Sequence, residues 1–401
     1  MFWGRHYLFF IFHFTYIFYI AKLVYIRKKM YLCINKVIKI MEATKKYKLT
    51  NETTKFNGVT LHRIKALKDF SDVKAGDLGG WIEKEENLSQ MGDSWVYSNT
   101  KVCKNAKICG DAQVYGDAIV SDNARVYDDA KVYGKSKVYG YAEIYRNAEV
   151  YDNAQVFGNA IIDNNAMVFD NAHVFGNARV GDNARVYGSS KVYDYAIVFG
   201  DAFIRDNAVI RGKVQISSNA QVYGNAQVYG NAQVYGIAQV YGKAHIYNNA
   251  MVCDNAKVCG YAIVSGNAMV YGNAKVCGNV KVYGNAHICN NAKVFGDAFI
   301  RDNAVIRGKV QISSSAQVYG NAQVYDNAQV HGIAQVHGNA QVYGNVRVFG
   351  NAKVYANAIA FETAKVYGNA RICGNAKVYG NAVVCDNAMV EGNAEICKSL
   401  W

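Results

Sequence analysis

The chain has 401 residues, no proline, ten cysteines and a net charge of +13. Seven of its basic residues (Arg5, Lys22, Arg27, Lys28, Lys29, Lys36 and Lys39) precede Met41, with no acidic residue among them, so the charge on the rest is mild for its length and does not read as a nucleic-acid footprint. The cysteines form no CxxC framework, which argues against a zinc-stapled scaffold.

Residues 1–40 are an aromatic, apolar leader. "YLFFIFHFTYIFYIA" at 7–21 is uncharged, and "RKK" follows at 27–29. One reading is a membrane anchor through residues 7–26 with its basic flank in the cytoplasm. The apolar stretch is short of the ~20 residues that a spanning helix needs, and no A-x-A site follows it. The other reading starts translation at Met41 and makes the protein cytoplasmic, and this one is preferred. A membrane partner is expected only if residues 1–40 are part of the protein.

Residues 41–94 form a separate small unit, expected to be a β-hairpin cap. "KFNGVTLHRIKAL" sets Asn57-Gly58 between alternating apolar flanks, a strong hairpin signal. "DVKAGDLGGWIEKEENLSQMGDSWVY" then leads into the repeats. His62, beside Arg63, is the one acid/base candidate in this unit, and it has no visible partner.

From residue 95 to 397 the chain repeats A-x-V-Y-G-N. The Ala position recurs in unbroken steps of six from Ala106 to Ala394, replaced only by Ser136, Ser190, Val214, Val280, Val310 and Val346. Two residues later stands Val or Ile, with Ala360 the exception. A-x-V has strand periodicity, so Ala and Val share one face. Gly-Asn tolerates positive φ and turns the chain. Six residues are too few for hairpin reversals, so each strand pairs with its copy one coil later. Three corners close a triangular coil. The expectation is an all-β, single-stranded parallel β-helix solenoid of about 16 coils, about 80 Å long at a strand spacing of about 4.8 Å. Only Lys398, Ser399, Leu400 and Trp401 follow, as a tail over the last coil.

The spacing of Val222 and Ala226, an aliphatic residue and then a small one four positions on, resembles the hexapeptide-repeat family. That resemblance implies a left-handed β-helix. It also implies an acyltransferase, with a catalytic His near a loop that breaks the coil at a trimer interface, using an acyl-CoA donor such as acetyl-CoA. Here Tyr usually follows the aliphatic residue, where the family often has Gly, Ala, Glu or Asp. "LHRIKALKDF", "VKAGDLGGWIE" and "NLS", followed by the hexapeptides, resemble bacterial and prophage proteins of the YdcK type, labelled transferases. No hexapeptide is interrupted, so the loop that would carry a catalytic group is missing. His173, His245 and His287 occupy the x position, and His331 and His337 occupy the Tyr position on different sides. All five read as solvated surface residues, and neither a metal nor a cofactor is expected outside the acyltransferase alternative.

Tyr97, Tyr115, Tyr133 and Tyr151 are 18 residues apart and should stack in a row on one outer face. The row either stabilises the rod or offers an aromatic strip to a protein or glycan. Nine cysteines fall in the same Tyr position. Of these, only Cys259 and Cys277 stand one coil apart, close enough in principle for a disulfide, although free thiols are expected in a reducing cytoplasm. Residues 198–242 recur at 294–338 with four changes, at an offset of 96 that is not a whole number of coils. The copy is therefore rotated by one face, which would scramble any site built across stacked coils. The expected function is a non-enzymatic rod, a scaffold or multivalent binding surface, with an acyltransferase as the alternative. No specific nucleic-acid partner is expected, and a homo-oligomer is compatible with the pattern.

Overall fold

A computed structural model describes residues 27–31 and 45–398. The leader readings and the end-cap role of Leu400 and Trp401 lie largely outside the described residues. No helix among the described residues is long and apolar enough to cross a membrane.

Three strands precede the repeats: β1 (Tyr47–Phe56), β2 (Val59–Ala66) and β3 (Leu78–Ile82). β1 and β2 are antiparallel around Asn57-Gly58, with Phe56 facing Val59. β3 pairs antiparallel with β2 and, on its other edge, parallel with Lys101–Val102, so it starts the first coil. Each hexapeptide then gives one strand, usually two residues long, pairing in parallel with the strand 18 residues away. Three parallel sheets stack into a rod of about 18 turns, slightly more than the repeat alone implies because the cap supplies a turn. The first face runs from Trp95–Val96 to Val383–Val384, the second from Lys101–Val102 to Met389–Val390 and the third from Lys107–Ile108 to Glu395–Ile396.

The interior is the row of Ala and Val positions. Ala226, Val228, Ala232 and Val234 are all fully buried, and so are Ser136, Ser190 and the smaller Ala360. Each buried Val contributes on the order of 1.5–3 kcal/mol, and the ladder of backbone bonds satisfies the polar groups beside it, as where Gln227 N–H donates to Ala244 O at 2.9 Å.

The corner residue after the Tyr position has positive φ at every sixth residue from Ser98 to Gly392. Gly takes this conformation without strain, and Asp or Asn at low cost. An Asp here does a second job. Asp254 accepts from Gly272 N–H at 2.9 Å, and Asp206 from Gly224 N–H at 2.9 Å, one coil on in each case. Beside the corners the Asn residues bond to each other in continuous rows, as in Asn249 to Asn267 at 3.1 Å and Asn267 to Asn285 at 2.9 Å.

Candidate functional site

The rod offers two outward positions per strand, x and Tyr. The Tyr position is not simply outward. Several rings lean over the next coil, with the hydroxyl reaching the x residue there: Tyr133 donates to Glu149 at 2.8 Å and Tyr127 to Glu143 at 3.4 Å. A small residue in this row is covered by its larger neighbour, so Cys253, Cys289, Cys385 and Ser265 are buried, not surface groups. Burial pushes the Cys103 thiol up to about 11, away from nucleophilic use.

Tyr97, Tyr115, Tyr133 and Tyr151 do form a row. Tyr115–Tyr133 and Tyr133–Tyr151 stack with centroids 4.7 and 4.8 Å apart, and Tyr97 meets Tyr115 edge-on at 6.2 Å. Phe169 and Tyr187 extend the row. Inside such a ladder each ring's π faces meet the neighbouring rings, so a ligand meets ring edges and hydroxyls. Further along the same face, Cys259 and Cys277 are joined in a disulfide, with Cα atoms 4.6 Å apart on adjacent coils. The free-thiol expectation does not hold for this pair, because the repeat sets the two backbones within bonding range.

His62 stands at the middle of the cap, opposite Thr53 and Ile82. Its Nδ1 lies 3.4 Å from Thr50 O, and among the described residues no carboxylate or nucleophile bonds to it. His337 stacks between Tyr319 and Tyr355 on the second face and His331 on Phe349 on the first. Burial, and then the cation at Lys353, lower His337. No group of three His, Cys, Asp or Glu side chains among the described residues is arranged to hold a metal.

Two buried titratable groups, Lys46 and Asp163, escaped the sequence reading. Lys46, just before β1, is buried, and its Nζ donates to Ser94 O at 2.7 Å and Gly92 O at 3.1 Å. Burial lowers it to about 8. It ties the cap to the first corner of the rod. The only sequence signal was a lysine opening a β-run.

Asp163 is also buried, in the Tyr position of the third face. Arg179 pairs with it, and Tyr145 donates to it at 3.0 Å. Gly181, one coil on, makes the room: a Cβ there would meet Asp163 Oδ1 at 2.3 Å. The cluster is closed on itself.

The repeat described as YdcK Beta solenoid repeat matches residues 112–128, 178–194, 220–236, 316–332, 340–356 and 370–386, two full corners in each stretch. The chain is a YdcK-like β-solenoid protein. It is 38% identical over 66 residues to the "Uncharacterized acetyltransferase YdcK" of Escherichia coli (strain K12), a match covering 14% of this chain and 20% of that protein. The chain thus spans about a fifth of the length of the YdcK protein that it matches.

Proposed function

We propose that this YdcK-like solenoid is a non-enzymatic rod that presents a multivalent binding surface. The observation that carries the reading is the rotated duplication. Arg205 lies over the Tyr223 ring at 4.2 Å on the first face, and its copy Arg301 lies over Tyr319 at 4.3 Å on the second. The same contact recurs on a different side of the prism with its geometry unchanged. A surface read locally tolerates such a copy, whereas a site assembled from several faces does not.

The second reading is an acyltransferase using acetyl-CoA, and it draws support from the name of the E. coli relative. Against it stand the unbroken register of strands and the isolation of His62. Calorimetric titration of the full chain with acetyl-CoA separates the two. The rod reading expects no saturable binding. One acetyl-CoA per chain or per subunit interface, with acyl transfer to an amine or hydroxyl acceptor, would replace it with the enzyme.

A further inference from the structure

Charge is segregated on this rod. In the repeats the carboxylates gather at corners, where positive φ favours Asp and where many accept a bond from the next coil. The flat faces carry most of the cations, with Lys104, Lys135, Arg146, Lys213, Lys243 and Lys309 at corners. The first face holds one carboxylate in its outward positions, Glu149, and the third holds Glu143, Asp163 and Glu395. The second face holds one as well, Glu391, at its last strand, and none on the coils before it back to Lys101. Lys137, Lys191, Lys281, Arg301, Lys353 and Arg371 lie on it, and of these six only Arg301 makes an ion pair among the described residues, with Asp302. Cations and ladders alternate along its length: Tyr139, Phe157, Phe175 and Tyr193 stack at 4.7–4.8 Å, and Tyr319, His337 and Tyr355 at 4.6 and 5.1 Å.

We propose that the second face is the docking surface for a linear anionic polysaccharide, a chain of pyranoses carrying carboxylate or sulfate groups. This rests on the multivalent-rod reading and names its partner. Charge complementarity sets the sign: a face with unpaired lysines and no outward carboxylate between Lys101 and its last strand attracts a polyanion along its length. The stacked rings add to it, since their outward edges carry the positive end of the quadrupole. Geometry sets the width. Asp117, Asp152 and Asp170 stand at corners on one side of the face, with Lys135 and Lys243 among them, and Asp122, Asp194 and Asp302 on the other, with Lys104 and Lys213. These carboxylates disfavour a polyanion wide enough to overhang the corners, such as a nucleic-acid duplex, relative to a single narrow chain along the middle. Single-stranded nucleic acid binds by stacking bases on free aromatic faces, and inside these ladders the faces are taken. A sugar chain needs no such insertion. The side-chain amides of Gln155, Gln227, Gln317 and Gln335 on the same face suit its hydroxyls.

Binding of the full chain to alginate, dextran sulfate, neutral dextran and a single-stranded oligonucleotide tests this, at several salt concentrations. Alginate or dextran sulfate should bind, dextran should not, and affinity should fall steadily with salt; the stronger of the two anions identifies carboxylate or sulfate as the group recognised. The triple variant Lys281→Glu/Lys353→Glu/Arg371→Glu, first shown to melt like the parent, should lose at least about tenfold in affinity. The matched first-face variant Lys257→Glu/Lys275→Glu/Lys293→Glu should lose clearly less. Equal losses would mean general electrostatic attraction and overturn the assignment to the second face. Tighter binding of the oligonucleotide would make the partner a nucleic acid. Binding of neutral dextran alone would refute the anionic partner while leaving the multivalent rod standing, whereas saturable acetyl-CoA binding with transfer would refute the rod itself.

Discussion

At the scale of single residues, the interior admits no charge. Val228 is fully buried between Ile210 and Ile246 of the neighbouring coils. Val228→Asp places a carboxylate there with no partner, which costs several kcal/mol, so the variant should express insoluble or melt far below the parent by circular dichroism. An unchanged melt would mean that Val228 does not face inward. The tyrosines set an alkaline limit. Burial, and then the Glu143 carboxylate, push Tyr127 up to about 12, and burial with the hydrogen bond to Glu149 raises Tyr133 further. A phenol raised in the fold keeps its proton there after the unfolded chain has lost it, so its stabilisation is complete below pH 10 and is lost as pH rises towards 12. Melting temperature should hold up to about pH 10 and then fall, with tyrosinate absorbance appearing together with unfolding. Full tyrosinate absorbance at pH 10 in the folded protein would contradict this. These residue roles differ in how far the sequence displayed them. Ala and Val were legible because the period of six never slips. The burial of Cys253 and Ser265 was not, because it depends on a ring leaning across from the previous coil.

At the scale of elements, the join between cap and rod depends on two glycines. β3 presses against the first coil so closely that a Cβ on Gly79 would meet Ile64 Cγ1, a Trp95 ring carbon and Val96 O at 2.6 Å each. A Cβ on Gly80 would meet Thr100 O and Val96 Cγ1 at 2.8 Å. Behind them Tyr47, Phe70 and Trp95 pack edge to face. Gly79→Ala should therefore cost about 1–3 kcal/mol by overpacking and loosen the cap before the rod. Hydrogen exchange would show this as lost protection over β2 and β3, with the coils beyond residue 120 unaffected; uniform protection would mean that the cap tolerates the methyl group. In the sequence, "LGGWIE" stood out because it breaks the repeat, and the Asn57-Gly58 turn marked the hairpin. The docking of β3 edge-to-edge with Lys101–Val102 was not legible, because it is a pairing between unlike segments that no periodicity announces. The candidate site was the least legible part: His62 drew notice as a cap histidine and gained no partner, while Lys46 drew none and proved buried.

At the scale of the molecule, the protein is one structural unit repeated many times, and its long internal duplication is offset by 96 residues, a multiple of six but not of 18. The disulfide, the Arg–Tyr contacts and the aromatic ladders are each confined to two or a few adjacent coils. The charge pattern follows the same unit: corners hold most of the repeat's carboxylates, where Asp suits the backbone conformation, and the faces hold most of its cations.

Three excisions put the claim of an interchangeable hexapeptide to its most direct test. Removing residues 221–238 takes out one whole coil, removing 221–232 rotates everything downstream by one face, and removing 221–223 puts Ala and Val out of phase. Thermal melting of the three variants, followed by circular dichroism, is the measurement. The first two should fold and melt cooperatively within a few degrees of the parent, and the third should not. A rotated variant that failed to fold, while the whole-coil excision folded normally, would show that the faces are not equivalent and would contradict the repeating, phase-tolerant surface proposed for this protein.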